Sequence, residues 1–161
     1  MLTVELRQLT PRDFAALRDF YSGLTESVTA TFQPFGTVVT DDALRQHLLA
    51  ADSGSHLSFG LFDAVGSICG HSFILNVDSK SPIFGIGLAE CAQGQGLGRR
   101  ITERLLAEAD SLGLVIVTLT VLKTNTRAWS LYESLGFERL GEETFKEEND
   151  SFYMERRLPV G

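Results

Sequence analysis

The chain contains little of what marks a secreted or membrane-bound protein. It has two cysteines in 161 residues, Cys69 and Cys91, which is too few for a disulfide framework. Its N-terminus lacks the basic segment and the apolar stretch of a secretory signal. No apolar run approaches the ~18 residues expected of a membrane span. These absences predict a cytoplasmic protein with no membrane partner.

Positive charge is also scarce. Fourteen Lys and Arg stand against 21 Asp and Glu, which makes the formal net charge −7. A surface that binds a nucleic-acid duplex needs Lys and Arg gathered on one face, and no such cluster is visible in the sequence. We therefore expect no nucleic-acid partner, whereas a cationic substrate such as an amine would be tolerated.

The apolar pattern predicts one α/β domain over residues 1–161. The length and the 43% apolar content leave room for a single core. Alternating patterns and short apolar runs predict strands at 3–9, 56–62, 68–77, 83–89, 114–122, 138–145 and 151–158. Apolar residues three or four apart predict helices at 10–23, 41–51, 97–112 and 125–136, and the stretch 25–40, which has neither pattern, is expected to be a long loop. We expect a mixed, mostly antiparallel sheet of six to seven strands with helices on both faces.

One part of the predicted order of strands and helices is a crossover connection. Strand 83–89, a glycine turn, a helix and strand 114–122 follow one another, so the two strands should be parallel neighbours. A ligand is then expected at the carboxyl end of strand 83–89.

The glycine turn at 93–100 reads Gln-Gly-Gln-Gly-Leu-Gly-Arg-Arg. Glycines at every second position, ending at a helix N-terminus, expose backbone N–H groups that suit a phosphate or pyrophosphate. The turn has neither the Gly-Lys-Ser/Thr ending of a Walker loop nor the third glycine of a dinucleotide fingerprint. It therefore predicts an anion cradle of another type.

Two motifs resemble those of the GNAT superfamily of acyl-CoA-dependent N-acetyltransferases. Residues 93–98 match its Q/R-x-x-G-x-G/A signature, and residues 125–137, Asn-Thr-Arg-Ala-Trp-Ser-Leu-Tyr-Glu-Ser-Leu-Gly-Phe, resemble its N-x-x-A-x-x-L-Y-x-x-L-G-F segment. Recognisable motifs cover 83–137, and the predicted order of elements is similar over nearly the whole chain. The resemblance implies a GNAT-like fold whose central parallel strands splay apart.

The resemblance also implies acetyl-CoA as co-substrate. Backbone groups of Ile86 and Leu88 would bind the pantetheine arm, and the Leu88 N–H would donate to the thioester carbonyl as an oxyanion donor. Arg99 either adds charge or is a solvated helix residue. The cofactor-binding residues implied are Ile86, Leu88, Ala89, Gln93, Gly94, Gln95, Gly96, Leu97, Gly98, Arg99, Asn125 and Tyr132.

Catalysis requires a proton for the departing thiolate and a route by which the attacking amine loses one. By resemblance, Tyr132 is the general acid, and the amine attacks directly in a ternary complex. Glu90 and His71 are both candidate general bases, and water is a third possibility. The three histidines and two cysteines have no metal-ligand spacing, so no metal is expected.

The acceptor is expected to be a primary amine of a small molecule or a peptide. Its site should involve the first two helices, the 25–40 loop and the final hairpin, where the candidate residues are Glu26, Phe32, Phe35, Asp41 and Asp42. The acidic residues of segment 142–150 are expected to form a solvated hairpin face. A non-catalytic acyl-CoA-binding module is the alternative function, and the sequence leaves monomer and homodimer both open.

Overall fold

A computed structural model describes residues 2–142 and 151–158. Its strands are β1 Glu5–Gln8, β2 Leu57–Phe62, β3 Ile68–Leu75, β4 Ile83–Leu88, β5 Ile116–Leu122, β6 Glu138–Glu142 and β7 Ser151–Arg157. Its helices are α1 Phe14–Ser22, α2 Glu26–Thr29, α3 Asp41–Asp52, α4 Leu97–Ser111 and α5 Thr126–Ser134, with 3₁₀ turns at Pro11–Asp13 and Glu90–Ala92.

The seven strands form one sheet in the order β1-β2-β3-β4-β5-β7-β6. Every neighbouring pair is antiparallel except β4 and β5, which are parallel. The mixed, mostly antiparallel sheet with a central parallel pair is therefore confirmed. No helix in the described part of the chain has both the length and the apolar character needed to cross a bilayer.

Helices cover both faces of the sheet, as expected. Phe73 and Ile74 are neighbours on β3, so their side chains point to opposite faces. Phe73 joins a cluster with Leu17 of α1 and Leu44 of α3, whereas Ile74 joins a cluster with Ile101 of α4. The sheet is thus the middle layer between two apolar cores.

The structure differs from the sequence-based expectation in two short segments. The predicted loop at 25–40 contains α2, in which the Thr25 carbonyl accepts hydrogen bonds from the N–H groups of Val28 and Thr29. The 3₁₀ turn Glu90–Ala92 follows β4 directly. Elements this short span too few residues to show a period, so the pattern cannot reveal them. The turn of the last hairpin lies outside the described residues.

The parallel pair is joined over a very short length. The only registered pair between β4 and β5 is Ile83 with Thr118. The Thr118 N–H and hydroxyl both donate to the Pro82 carbonyl, at 2.8 and 3.0 Å. Beyond this point the two strands diverge, which opens the middle of the sheet toward the carboxyl end of β4.

A chain of buried polar side chains crosses the core between α1, β3, β2 and α3. Hydrogen bonds join the Tyr21 hydroxyl to His71 Nδ1 at 2.7 Å, His71 Nε2 to the Ser58 hydroxyl at 2.8 Å, and that hydroxyl to His47 Nε2 at 2.9 Å. All four residues are buried. Burial lowers the pKa of His71 well below its usual value and that of His47 from 6.5 to about 4, because the charged imidazolium would lose its hydration.

Stability should therefore depend on pH through these histidines. Their folded-state pKa values lie below the unfolded values, so the contribution is complete above pH 6.5 and is lost as pH falls toward 4. We expect the free energy of unfolding, measured by urea denaturation, to fall by about 3 kcal/mol across this window from His47 alone. His47→Gln should flatten this slope, while His56→Gln, which leaves the buried chain intact, should retain most of it. Equal slopes in the wild type and in His47→Gln would contradict this account.

Candidate active site

A cleft of about 800 Å³ lies where β4 and β5 diverge. One side is formed by the backbone of β4 and the glycine turn, and another by β5 and the first turns of α5. Segment 27–33, which includes the end of α2, completes the lining with Ser27, Val28, Ala30, Thr31, Phe32 and Gln33. The predicted location of the ligand, at the carboxyl end of β4, therefore coincides with the cleft.

The edge of β4 that faces the cleft has backbone groups free to bind a ligand. The Ala89 N–H donates to the Cys69 carbonyl at 2.9 Å, and residues of an antiparallel ladder alternate in the direction of their hydrogen bonds. Ile86 and Leu88 therefore point their backbone groups toward the gap. The Leu88 carbonyl accepts from Gln93 Nε2 at 3.2 Å, so its N–H is the Leu88 backbone group left for a ligand.

The glycine turn presents a row of unused donors. Gly94 and Gly96 have φ values of +74° and +77°, which L side chains rarely adopt. Among the described residues, no acceptor contacts the backbone N–H groups of residues 94–99, and the first helical hydrogen bond runs from the Arg100 N–H to the Gly96 carbonyl. These groups form a concave donor surface at the N-terminus of α4, which suits an anion.

Two arginines line this part of the cleft in different ways. Arg99 donates to the Ser134 hydroxyl at 2.9 Å and lies 3.6 Å from the Glu103 carboxylate. The Arg127 guanidinium lies 3.8 Å from the position of a Cβ on Gly94 and has no acidic partner among the described residues. Because Arg127 is in the first turn of α5, where a cation opposes the helix dipole, it is poorly placed to stabilise the helix. Arg127 was not predicted as a site residue, although its place two residues after the Asn125 cap was a usable signal.

Tyr132 reaches the cleft from α5. It is 7% exposed and its ring packs against Phe84 and Phe137, with centroids 5.6 and 5.8 Å apart. The hydroxyl makes no hydrogen bond within the described part of the chain. Burial raises the pKa of Tyr132 well above its usual value, because the phenolate would lose its hydration. The phenol therefore stays protonated at neutral pH.

Most of the other residues predicted to bind the cofactor also line the cleft. Asn125 does so while its side chain accepts from the Ala128 N–H at 3.4 Å, so its role as a helix cap is confirmed. Gln95 and Ala89 are not part of the lining: the Gln95 side chain bonds the Leu2 N–H and the Cys91 carbonyl. Their predicted contact with the cofactor stays a prediction.

The two candidate bases lie outside the lining. His71 is fully buried, and both ring nitrogens are engaged by Tyr21 and Ser58. Glu90 is exposed beside the cleft, where its Oε1 accepts from Thr25 Oγ1 at 2.8 Å and from the Ser27 hydroxyl. These hydrogen bonds lower the pKa of Glu90, the Ser27 bond having the larger effect.

Of the residues predicted for the acceptor site, Phe32 lines the cleft. Its ring lies against the backbone of Gly87, where a Cβ would come within 2.2 Å of two ring carbons. Phe35 packs instead against Tyr21 and His47, and Asp42 accepts from Gln46 on the surface of α3. Glu26 and Asp41 are exposed outside the lining, and the acidic hairpin segment 143–150 lies outside the described residues.

The part of the chain that the structure describes contains no group of three His, Cys, Asp or Glu side chains arranged to hold a metal ion. Cys69 is buried and Cys91 is exposed, and both are free thiols. What the cleft offers is backbone donors, two arginines and a buried phenol.

Comparison with known proteins agrees with this geometry. The profile of the Acetyltransferase (GNAT) family matches residues 17–137. The chain therefore belongs to the GNAT acetyltransferase family, as its two motifs indicate.

Similarity to individual proteins is more local. The chain is 33% identical over 115 residues to the mycothiol acetyltransferase of Renibacterium salmoninarum, covering 58% of this chain and 32% of that protein. It is 40% identical over 58 residues to the [ribosomal protein bS18]-alanine N-acetyltransferase of Salmonella typhimurium, covering 36% of this chain and 39% of that protein. The matched stretches thus span about a third or slightly more of these relatives.

The fold similarity extends over the whole chain. The PaiA N-acetyltransferase of Thermoplasma acidophilum, solved in complex with coenzyme A, superposes with a TM-score of 0.76 at 16% identity. The superposition covers 97% of this chain and 99% of that chain, which confirms a GNAT-like fold.

The contact between Phe32 and Gly87 provides a test of how the cleft is built. Gly87→Ala would place a Cβ within 2.2 Å of the Phe32 ring, so the ring or the strand must move. We expect the free energy of unfolding in urea to fall by about 1–3 kcal/mol. Gly98→Ala is the control. Gly98 lies in the helix α4, and its new Cβ would be 3.6 Å from Leu88, so stability should be unchanged or slightly higher. Equal effects of the two substitutions would contradict this packing.

Proposed function

We propose that this protein is an N-acetyltransferase that transfers the acetyl group of acetyl-CoA to a primary amine. The observation that carries the proposal is the row of unused N–H groups at residues 94–99, beside a β4 edge that β5 leaves unpaired. An anion cradle next to an open strand edge suits a ligand with a pyrophosphate at one end and an amide-containing arm at the other.

The described residues fit coenzyme A as the donor. The glycine turn and Arg127 supply hydrogen-bond donors and positive charge for the pyrophosphate, and Gly96 leaves open space where a side chain would project. The backbone groups of Ile86 and Leu88 suit the amides of the pantetheine arm. That the related fold of PaiA was solved with coenzyme A supports this assignment.

Acetyl-CoA supplies an acetyl thioester. The reaction forms a C–N bond between the amine and the acetyl group and breaks the C–S bond of the thioester. Overall, one proton passes from the amine to the sulfur of the departing thiolate. In the proposed reaction the Leu88 N–H donates to the thioester oxygen as charge develops there. Tyr132 holds its proton because it is buried, supplies that proton to the departing sulfur, and is reprotonated through water in the cleft, which carries the proton that the amine loses. His71 is sealed in the core and Glu90 lies outside the lining, so water in the open cleft takes the amine proton.

The acceptor is a primary amine of a small molecule or of a peptide. Two observations support this class: Phe32 gives the cleft an apolar surface, and the relatives include an enzyme named for an alanine of a ribosomal protein. The alternative is a module that binds acyl-CoA without turnover, which the retained Tyr132 disfavours.

The direct test supplies acetyl-CoA and a panel of amines, including alanine-terminated peptides and small aromatic amines, and records free thiol over time. We expect saturable dependence on acetyl-CoA and acceptor-dependent release of thiol with at least one class. Saturable binding of acetyl-CoA with no turnover on any acceptor would support the binding module instead. Failure to bind acetyl-CoA would contradict both functions.

Tyr132→Phe isolates the proposed proton donor, because it removes the hydroxyl and keeps the ring packed against Phe84 and Phe137. We expect kcat to fall by roughly 10²-fold, while the affinity for acetyl-CoA, measured by calorimetry, stays close to that of the wild type. Phe137→Leu is a control for the packing of the ring alone and should affect stability more than kcat. An unchanged kcat in Tyr132→Phe would remove Tyr132 from the mechanism.

A further inference from the structure

Glu90 connects two parts of the site that are distant in the sequence. It is the second residue after β4 and begins the 3₁₀ turn that leads into the glycine turn. Its Oε1 accepts hydrogen bonds from the hydroxyls of Thr25 and Ser27, residues 65 and 63 positions away along the chain. Thr25 is also the N-cap of α2, and its hydroxyl lies 3.0 Å from that of Ser27. One carboxylate oxygen therefore binds both hydroxyls at the start of α2.

The segment that begins at this contact supplies part of the lining of the cleft. We call residues 25–33 the acceptor wall, because they supply Ser27, Val28 and Phe32 to the lining. At its far end the wall is held by packing, since Phe32 lies against Gly87 and stacks with Tyr21, with ring centroids 5.9 Å apart. At its near end, the hydroxyl bonds to Glu90 are the side-chain contact that ties it to the end of β4.

We propose that Glu90 is a positioning residue that fixes the acceptor wall relative to the cofactor-binding strand, and not the general base. This inference rests on the proposed function, in which the amine approaches between the wall and β4. Ser27 lines the cleft, whereas Glu90, which accepts the Ser27 hydroxyl, does not, so the carboxylate reaches the cleft through Ser27. The hydroxyl bonds lower the pKa of the Glu90 carboxyl, which keeps it charged as the acceptor of these bonds and weakens it as a base.

The two roles predict different behaviour for two substitutions. Glu90→Gln keeps an oxygen that accepts from both hydroxyls but removes the carboxylate base, whereas Glu90→Ala removes both functions. If Glu90 positions the wall, KM for the acceptor should rise roughly two- to fivefold in Glu90→Ala, the range of an exposed polar contact, with acetyl-CoA affinity unchanged. Glu90→Gln should restore KM to near the wild-type value, and the acid limb of the kcat pH profile should be the same in all three proteins.

Thr25→Val gives an independent check, because it removes one donor without touching the cleft lining. It should raise the acceptor KM in the same direction as Glu90→Ala, and combining the two should add less than the sum of the separate effects. Glu108→Gln, a carboxylate that pairs with Arg104 on α4, is the matched control and should leave kinetics unchanged.

Hydrogen exchange gives a readout that needs no turnover. Amides of the acceptor wall should exchange faster in Glu90→Ala than in the wild type or in Glu90→Gln, while amides of β2 and β3 should not change.

Equal losses of kcat in Glu90→Ala and Glu90→Gln, with loss of the acid limb, would establish Glu90 as the base and overturn the proposal. Unchanged KM and unchanged exchange in Glu90→Ala would overturn it as well. If no amine is turned over by the wild type, the proposed function fails, and the exchange comparison still decides whether Glu90 holds the wall.

Discussion

The separation of β4 from β5 is the constraint on which the rest of the site depends. The two strands are registered only at Ile83 and Thr118, and the Pro82 carbonyl takes both donors of Thr118. Beyond that pair, β4 is bonded on one side by β3 and is open on the other. Backbone groups left unpaired in the middle of a sheet need water or a ligand, because burying them alone costs free energy. The divergence therefore creates the cleft and its binding edge together.

Glycine residues in β4 allow side chains from other elements to pack closely on the strand, so that both of its faces make contacts at the site. On one face, the bare backbone at Gly85 and Gly87 admits the rings of Phe73 and Phe32, where a Cβ would come within 2.4 and 2.2 Å of them. On the other face, Phe84 packs with Tyr132 and so brings α5 to the cleft. The Phe32 ring and the Tyr132 phenol thus pack on opposite faces of the strand, while its edge remains available. Movement of this one strand would disturb all three features.

The prediction from sequence was most accurate where elements are long and regular. The helix after the glycine turn and the Asn125-capped helix were found close to their observed bounds because each shows a helical period, and strand β5 was found because it lies in an almost continuous apolar run. The four-residue helix α2 and the 3₁₀ turn after β4 were missed. Among charged residues, neither the pairing of Arg99 with Ser134 nor the proximity of the Arg127 guanidinium to Gly94 followed from sequence, since both depend on how α4 and α5 pack.

The sequence by itself determined the family, the order of elements and the residues of the glycine turn, because these follow from local spacing: glycines at every second position and an asparagine cap six positions before the first residue of a Leu-Tyr pair. Only the tertiary structure decided which side chains meet. In the folded chain, His71 is hydrogen bonded to Tyr21 and Ser58, Glu90 is hydrogen bonded to the start of α2, and Phe32 packs on Gly87. Each of these contacts joins residues from 13 to 65 positions apart, and side-chain patterning along the chain carries no record of such pairings.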